Sequence, residues 1–179
     1  ALIFSVTELC RIVLSHRTDG FQEDILTQYS KRMVVVHWLT LVLLVAAWFL
    51  GDQLAESTDA SKATLAGYIV HMSVGGLILL LALSQLYFRR KDGTPPLLAD
   101  TPMYQMMAKA IHYALYAVLV LLPVSGVMTV IASDTGKALL AGDANLLPKE
   151  DGYEHVFAQV VHEQLVNVLI VLAVVYVLG

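Results

Sequence analysis

Four long apolar segments dominate this sequence and restrict what it can fold into. They cover residues 33–50, 65–88, 110–132 and 158–179. About 20 mostly apolar residues, each adding about 1.5 Å of helix, cross the roughly 30 Å hydrocarbon core of a bilayer. Because the loops between the segments are short, the sequence predicts an all-α integral membrane protein, folded as an up-down four-helix bundle.

The composition agrees with a membrane protein and excludes several other classes. Of 179 residues, 58% are hydrophobic and 15% are charged, whereas soluble domains carry about 25% charged residues. The single cysteine, Cys10, excludes a disulfide framework and a four-thiolate metal site, and the lack of a CxxCH motif excludes covalent haem attachment. A net charge of −4 argues against nucleic acid as a partner.

The lysine and arginine residues predict the orientation of the bundle. Eight of them lie before the first span or between residues 89 and 109, and three lie in the other two loops. By the positive-inside rule, the N-terminus and the 89–109 loop are predicted to be cytoplasmic. Residues 51–64 and 133–157 would then face the periplasm or the outside.

The two ends of the chain lie outside this simple pattern. Residues 1–28 contain apolar residues spaced as in a short amphipathic helix, which would lie on the membrane surface or dock on a redox partner protein. An extraneous extension is the open alternative. This arm lacks the basic region and the small-residue cleavage site of a signal peptide. At the other end, the last span reaches Gly179 without closing basic residues, and we expect the natural chain to continue.

Histidines carry the functional signal. Four of the six lie within or at the edge of the spans, one in each: His37, His71, His112 and His162. Ionisable residues in membrane spans are costly and usually mark functional sites. For any one of them, a hydrogen bond across the bundle is the alternative explanation. The remaining two, His16 and His155, lie in polar stretches and are predicted to be surface residues.

His71 and His162 are predicted to lie at one depth. They follow the outer ends of their spans by about six and four residues, which places both roughly 6–9 Å below the outer surface. Two neutral imidazoles at one depth on facing helices can ligate a haem iron from both sides. Gly75 and Gly76, one turn after His71, would leave room for a flat macrocycle, with close helix packing as the alternative.

A second level of histidines lies near the cytoplasmic surface. His37 is about four residues inside the first span, and His112 lies at a similar depth on the third, so depth alone nominates this pair. The two levels are separated by about 20 Å of helical rise. This separation disfavours a single zinc or copper site, whose ligands must converge, and favours two stacked redox centres.

The motifs that carry these histidines resemble the bacterial cytochrome b561 family in order and spacing. They are YSKRMVVVHWLTL, HMSVGGLILLLALSQLYFRR followed by TPP, AKAIHYALYAVLVLLPVSGVM, and VVHEQLVNVLIVL. The resemblance covers residues 29–179 as one domain and leaves the 1–28 arm outside. It implies two b-type haems, one near each face, and electron exchange with quinone. It also implies that His71 and His162 ligate the outer iron and that His37 ligates the inner iron.

At the inner haem the chain departs from the family pattern. The family has a second inner ligand fourteen residues after the histidine of the HE pair, and Tyr176 stands there. The helix-three histidine, matched by His112, is usually not a ligand. The ligand could lie beyond Gly179, Tyr176 or His112 could replace it, or the inner haem could be altered or lost. Two haems are expected, and one at minimum.

Two arginines are candidates for binding the carboxylates of the inner haem. Arg89 and Arg90 end the second span, followed by Lys91. Guanidinium groups form paired hydrogen bonds with carboxylates and would suit the haem propionates. Anchoring by the positive-inside rule is the alternative.

These features predict an oxidoreductase of the bacterial inner membrane that moves electrons to or from the quinone pool. Some proteins that resemble it oxidise superoxide and reduce ubiquinone, which makes this the first substrate hypothesis. The acidic outer loops do not favour an anion, and Lys62, Lys137 and Lys149 are the basic candidates there. The alternative is a cytochrome b membrane-anchor subunit of a dehydrogenase or hydrogenase. A haem-free transport or structural bundle is the third possibility.

Overall fold

The computed structural model describes residues 29–56, 62–93, 101–148 and 156–178. Within these ranges the chain is all-α, and four long helices are long and apolar enough to cross a membrane. The elements are α1 (Lys31–Glu56), α2 (Lys62–Asp92), α3 (Pro102–Ala132), α4 (Thr135–Ala141), a 3-10 turn (Ala144–Leu146) and α5 (Phe157–Leu178). The predicted all-α membrane bundle is confirmed. The 1–28 arm lies outside the described residues.

The helices α1 to α3 are longer than the predicted spans. The first two extend past the apolar segments at both ends, and α3 begins eight residues early, at Pro102 rather than residue 110. Hydropathy marks only the part of a helix that lies in hydrocarbon, whereas the helix continues until its backbone is capped. At α3 the cap is Thr101, which accepts a hydrogen bond from the Tyr104 amide, with proline at the first helical position.

The long helices pack in sequence, and the bundle is open on one side. The helix α1 packs along α2, α2 against α3, and α3 along α5, while α1 and α5 make no backbone contact within the described ranges. The tightest packing lies where the first three helices meet, around Ile78, Ala82 and Leu119. The remaining space between the α1–α2 pair and the α3–α5 pair is a long cavity.

A polar cluster marks the end of the bundle at which α1 and α3 begin, which we call the basic end. Arg32 binds Asp92 through two hydrogen bonds of 3.0 and 2.6 Å, and Ser30 donates another of 2.7 Å. These contacts join the start of α1 to the end of α2. We call the opposite end, where α1 closes with Asp52 and Glu56, the acidic end.

The short helix α4 covers part of the acidic end, where the sequence predicted only a loop. Ala138 of α4, with Ala144 and Leu147 of the following turn, packs on Leu65 of α2. Seven residues are too few for a periodic apolar pattern to be recognised in a sequence. Gly142, with φ of +66°, ends this helix in the left-handed conformation that glycine adopts without strain.

Candidate haem site

The cavity has a volume of about 1700 Å³ and is lined by residues of all four long helices. Pockets for small organic ligands usually measure about 300–1,000 Å³, so this space suits more than one such ligand or a large one. Its walls are mostly apolar. The four span histidines line it, as do Gly75 and Gly76.

His71 of α2 and His162 of α5 meet across the cavity toward the acidic end. Their ring centroids lie 6.3 Å apart, with 73° between the ring planes. Imidazole nitrogens bind metals at about 2.0–2.1 Å, so two imidazoles on opposite sides of one ion have centroids about 6 Å apart. The spacing therefore fits one iron between the rings. The described residues contain no group of three or more metal-ligating side chains.

The hydrogen bonds of His162 leave one ring nitrogen available for a metal. Its Nδ1 lies 2.9 Å from the carbonyl oxygen of Leu122 and 3.1 Å from Oγ of Ser125. A carbonyl only accepts, so Nδ1 carries the proton and donates it, which leaves the lone pair on Nε2. Ligand histidines typically have this arrangement, which fixes both the tautomer and the orientation of the ring.

His71 is held by close contact with α1. Its Nδ1 is buried near the backbone of Ala47 and forms no well-aligned hydrogen bond with the described residues. A Cβ atom at Gly51 would lie only 3.2 Å from Cε1 of His71. A buried nitrogen without a hydrogen bond is unusual, and the contact with α1 restricts how far the ring can turn.

Each of these histidines packs closely against a glycine of the neighbouring helix. His71 packs against Gly51 of α1, and His162 packs against Gly126 of α3, where a Cβ would lie 3.1 Å from Cε1 of the imidazole. Sequence reasoning assigned no role to Gly51, because nothing in the sequence links it to a histidine twenty residues later. The contact depends on how α1 and α2 face each other.

Gly75 and Gly76 face open space. Among the described residues, a Cβ atom at either position would meet no heavy atom within 4 Å, apart from the helix's own backbone. Close packing against a neighbouring helix, the alternative raised by the sequence, is therefore not their role here. Both glycines line the cavity one turn below His71, where a flat ligand would lie against the helix.

Toward the basic end the cavity wall carries His37, His112 and Tyr176. His37 and His112 are close enough to interact electrostatically. Nδ1 of His112 lies 2.7 Å from the Ala108 carbonyl, so Nε2 again holds the free lone pair. Tyr176 packs edge-on against His112, with ring centroids 5.3 Å apart. His112 and Tyr176 therefore both stay candidates to face His37 across a second centre.

The two arginine candidates have different environments. Arg89 is partly buried and lines the cavity, whereas Arg90 is exposed and lies outside the lining. Successive residues of a helix point about 100° apart, which separates the two side chains. The guanidinium of Arg89 lies over the rings of Tyr113 and Tyr116, at 5.8 and 5.7 Å from their centroids.

The comparisons with known proteins identify the family of this chain. A family model described as prokaryotic cytochrome b561 matches residues 28–179. A curated relative from Yersinia pestis, called a probable superoxide oxidase CybB, is 26% identical over 101 residues, which is 56% of this chain and 56% of the relative. No solved structure matches. The chain therefore belongs to the prokaryotic cytochrome b561 family and is a multi-pass membrane cytochrome of the b type that takes part in electron transfer.

Proposed function

We propose that the protein is a di-haem cytochrome that carries electrons across the bilayer, from superoxide at the acidic end to ubiquinone. The observation that carries this proposal is the placement of histidines at two levels of one cavity, with His71 and His162 at one level and His37 at the other. The name of the Yersinia relative supports superoxide as the donor. The basic residues beside α1 and α2 support a cytoplasmic basic end.

The proposed ligands would act through their neutral imidazoles. His71 and His162 would bind one iron, and His37 would bind the other, together with His112, Tyr176 or a residue outside the described range. Haem b supplies one-electron chemistry by cycling between ferric and ferrous iron. Two histidine ligands leave no open coordination position, which favours electron transfer over binding of oxygen.

The chain itself orients the ligands and keeps water away. The Leu122 carbonyl holds the His162 ring in one tautomer, and Gly51 and Gly126 fix how closely each ring approaches the neighbouring helix. The apolar walls of the cavity exclude water, which together with the ligands sets the reduction potential of the bound group.

The proposed reaction transfers two electrons from superoxide to ubiquinone. Two superoxide anions each lose one electron and leave as molecular oxygen. One ubiquinone gains the two electrons and two protons and leaves as ubiquinol. Among the basic candidates at the acidic end, Lys137 has a described side chain, and it donates a 2.6 Å hydrogen bond to Asp134. This bond raises the pKa of Lys137, so the lysine stays charged at neutral pH, although the carboxylate offsets its attraction for an anion.

A spectroscopic titration of the purified protein tests the proposal. We expect a reduced-minus-oxidised spectrum typical of b-type haem, with two haems per chain. Proteoliposomes that contain ubiquinone should form ubiquinol when superoxide is generated at the acidic face, and superoxide dismutase should abolish this. A protein with two haems that forms no ubiquinol under these conditions would contradict the substrate assignment. A protein without haem would contradict the cytochrome proposal as a whole.

A further inference from the structure

Arg89 is a cation within a membrane-spanning helix that faces the cavity. It forms no ion pair with the described residues, in contrast to Arg32, whose charge is matched by Asp92. Arg89 lies in the last turn of α2, and ionisable side chains of membrane helices that face a cavity are normally paired. The guanidinium is therefore suited to pair with an anionic ligand of the cavity.

The position of Arg89 on α2 shows which part of the cavity it serves. His71, Gly75, Ile78, Gln85 and Arg89 follow the three- and four-residue spacing of one helix face, and all of them line the cavity. By helical rise Arg89 lies about 27 Å along α2 from His71. A group bound by His71 lies at the acidic end of the cavity, too far from Arg89 for contact. A ligand that pairs with Arg89 would therefore lie at the basic end, near His37.

Two tyrosine rings attract the guanidinium through cation–π contacts. The Cζ atom of Arg89 lies over the rings of Tyr113 and Tyr116. A cation–π contact does not use the N–H donors of a guanidinium, so they can still bind an acceptor. A guanidinium forms two parallel hydrogen bonds with a carboxylate.

A phenol lies beside this guanidinium. Tyr29, just before α1, is partly buried and interacts electrostatically with Arg89 and Tyr116. Burial raises the pKa of Tyr29, so its hydroxyl stays protonated at neutral pH. The guanidinium is therefore the charged group of this pair, and it favours an anionic oxygen ligand.

We propose that Arg89 binds a carboxylate of the cofactor at the basic end, that is, a haem propionate. This inference rests on the proposed function, because it requires a haem at that end. Arg90 is excluded by its exposure, and Lys91 is exposed and lies over the ring of Tyr87. The assignment does not depend on whether His112, Tyr176 or another residue is the second iron ligand.

The test is a redox titration of the loaded protein that compares Arg89→Gln with Arg90→Gln. The haem at the basic end is identified as the component that remains in a His71→Ala background. Loss of a positive charge near the iron favours the ferric state, so Arg89→Gln should lower the midpoint potential of that component. Arg90→Gln should leave it unchanged. Arg89→Lys, which keeps the charge without the planar fork, should give a smaller shift and covers the case in which Arg89→Gln does not fold.

A chemical control identifies the carboxylate as the partner. When the protein is loaded with haem dimethyl ester, which has no free propionates, the effect of Arg89→Gln should become clearly smaller than with native haem. An equal shift with both haems, or no shift with native haem, would overturn the proposal. A protein in which His71→Ala removes all haem would overturn it as well, while leaving a cytochrome with one haem. Absence of haem from the unmodified protein is a failure of the proposed function instead.

Discussion

The imidazole of His162 donates its Nδ1 proton to the Leu122 carbonyl on α3, while its ring faces His71 on α2 at a centroid distance of 6.3 Å. One histidine thus connects a backbone acceptor on one side with a second imidazole on the other. The bond to Leu122 leaves Nε2 as the nitrogen with a free lone pair. This relationship defines the acidic-end site and allows its parts to be tested separately.

Replacement of either histidine should remove one haem. We expect His71→Ala and His162→Ala each to retain about half of the haem found in the unmodified protein, because a single imidazole binds b-type haem weakly. Haem per chain, measured from the reduced-minus-oxidised spectrum, checks this. Ser73→Ala is the control, since Ser73 is exposed and its hydroxyl donates to the carbonyl of its own helix at Ile69. Full haem content in both histidine variants would be incompatible with the site.

A methyl group at Gly126 should disturb the site through His162. The added Cβ would lie 3.1 Å from Cε1 and 3.3 Å from Nδ1 of the imidazole. Such overpacking costs about 1–3 kcal/mol, and here it would also shift the ring from the Leu122 carbonyl. We expect Gly126→Ala to lower thermal stability and to change the spectrum of one haem. An unchanged spectrum would show that the ring can move without effect.

An added methyl group at Gly75, unlike one at Gly126, should not lower the stability of the protein. Because no atom in the described part of the chain outside the helix's own backbone lies within 4 Å of an added Cβ, Gly75→Ala should not destabilise the haem-free protein, and the helix propensity of alanine favours it by up to about 1 kcal/mol. Gly75→Leu should project into the cavity and reduce haem loading. The measurements are the unfolding temperature of the haem-free protein and the haem content after reconstitution. Normal loading of Gly75→Leu would exclude this glycine from the haem site.

A buried hydrogen bond joins α1 to α2 independently of the haem. Gln85 donates a 2.7 Å bond to Thr40, and their exposed fractions are 5% and 3%. Hydrogen bonds between membrane helices contribute about 0.6 kcal/mol on average and up to about 1.7 kcal/mol. Gln85→Leu should therefore lower the free energy of unfolding in detergent by about 1 kcal/mol. Ser84→Ala is the adjacent control and should have almost no effect, because the Ser84 hydroxyl donates to the carbonyl of its own helix at Leu80.

The sequence predicted the depth of the main features along the bundle better than the direction in which their side chains point. Apolar length and helical rise were enough to predict the spans and to place His71 and His162 at one depth, since both depend on residue number alone. Depth does not determine which way a side chain points around the helix axis. The separation of Arg89 from Arg90 and the contact of Gly51 with His71 depend on helix packing, which the sequence does not encode locally.

The lack of backbone contact between α1 and α5 among the described residues has a consequence for assembly. The bundle has one side along which helix packing does not close it. A flat, apolar cofactor could enter from the bilayer by this route after the helices have inserted, without any helix–helix interface having to separate. Once bound to histidines of α2 and α5, the cofactor would join the two halves of the bundle. Maturation of this cytochrome can then be a late, lateral step that follows membrane insertion.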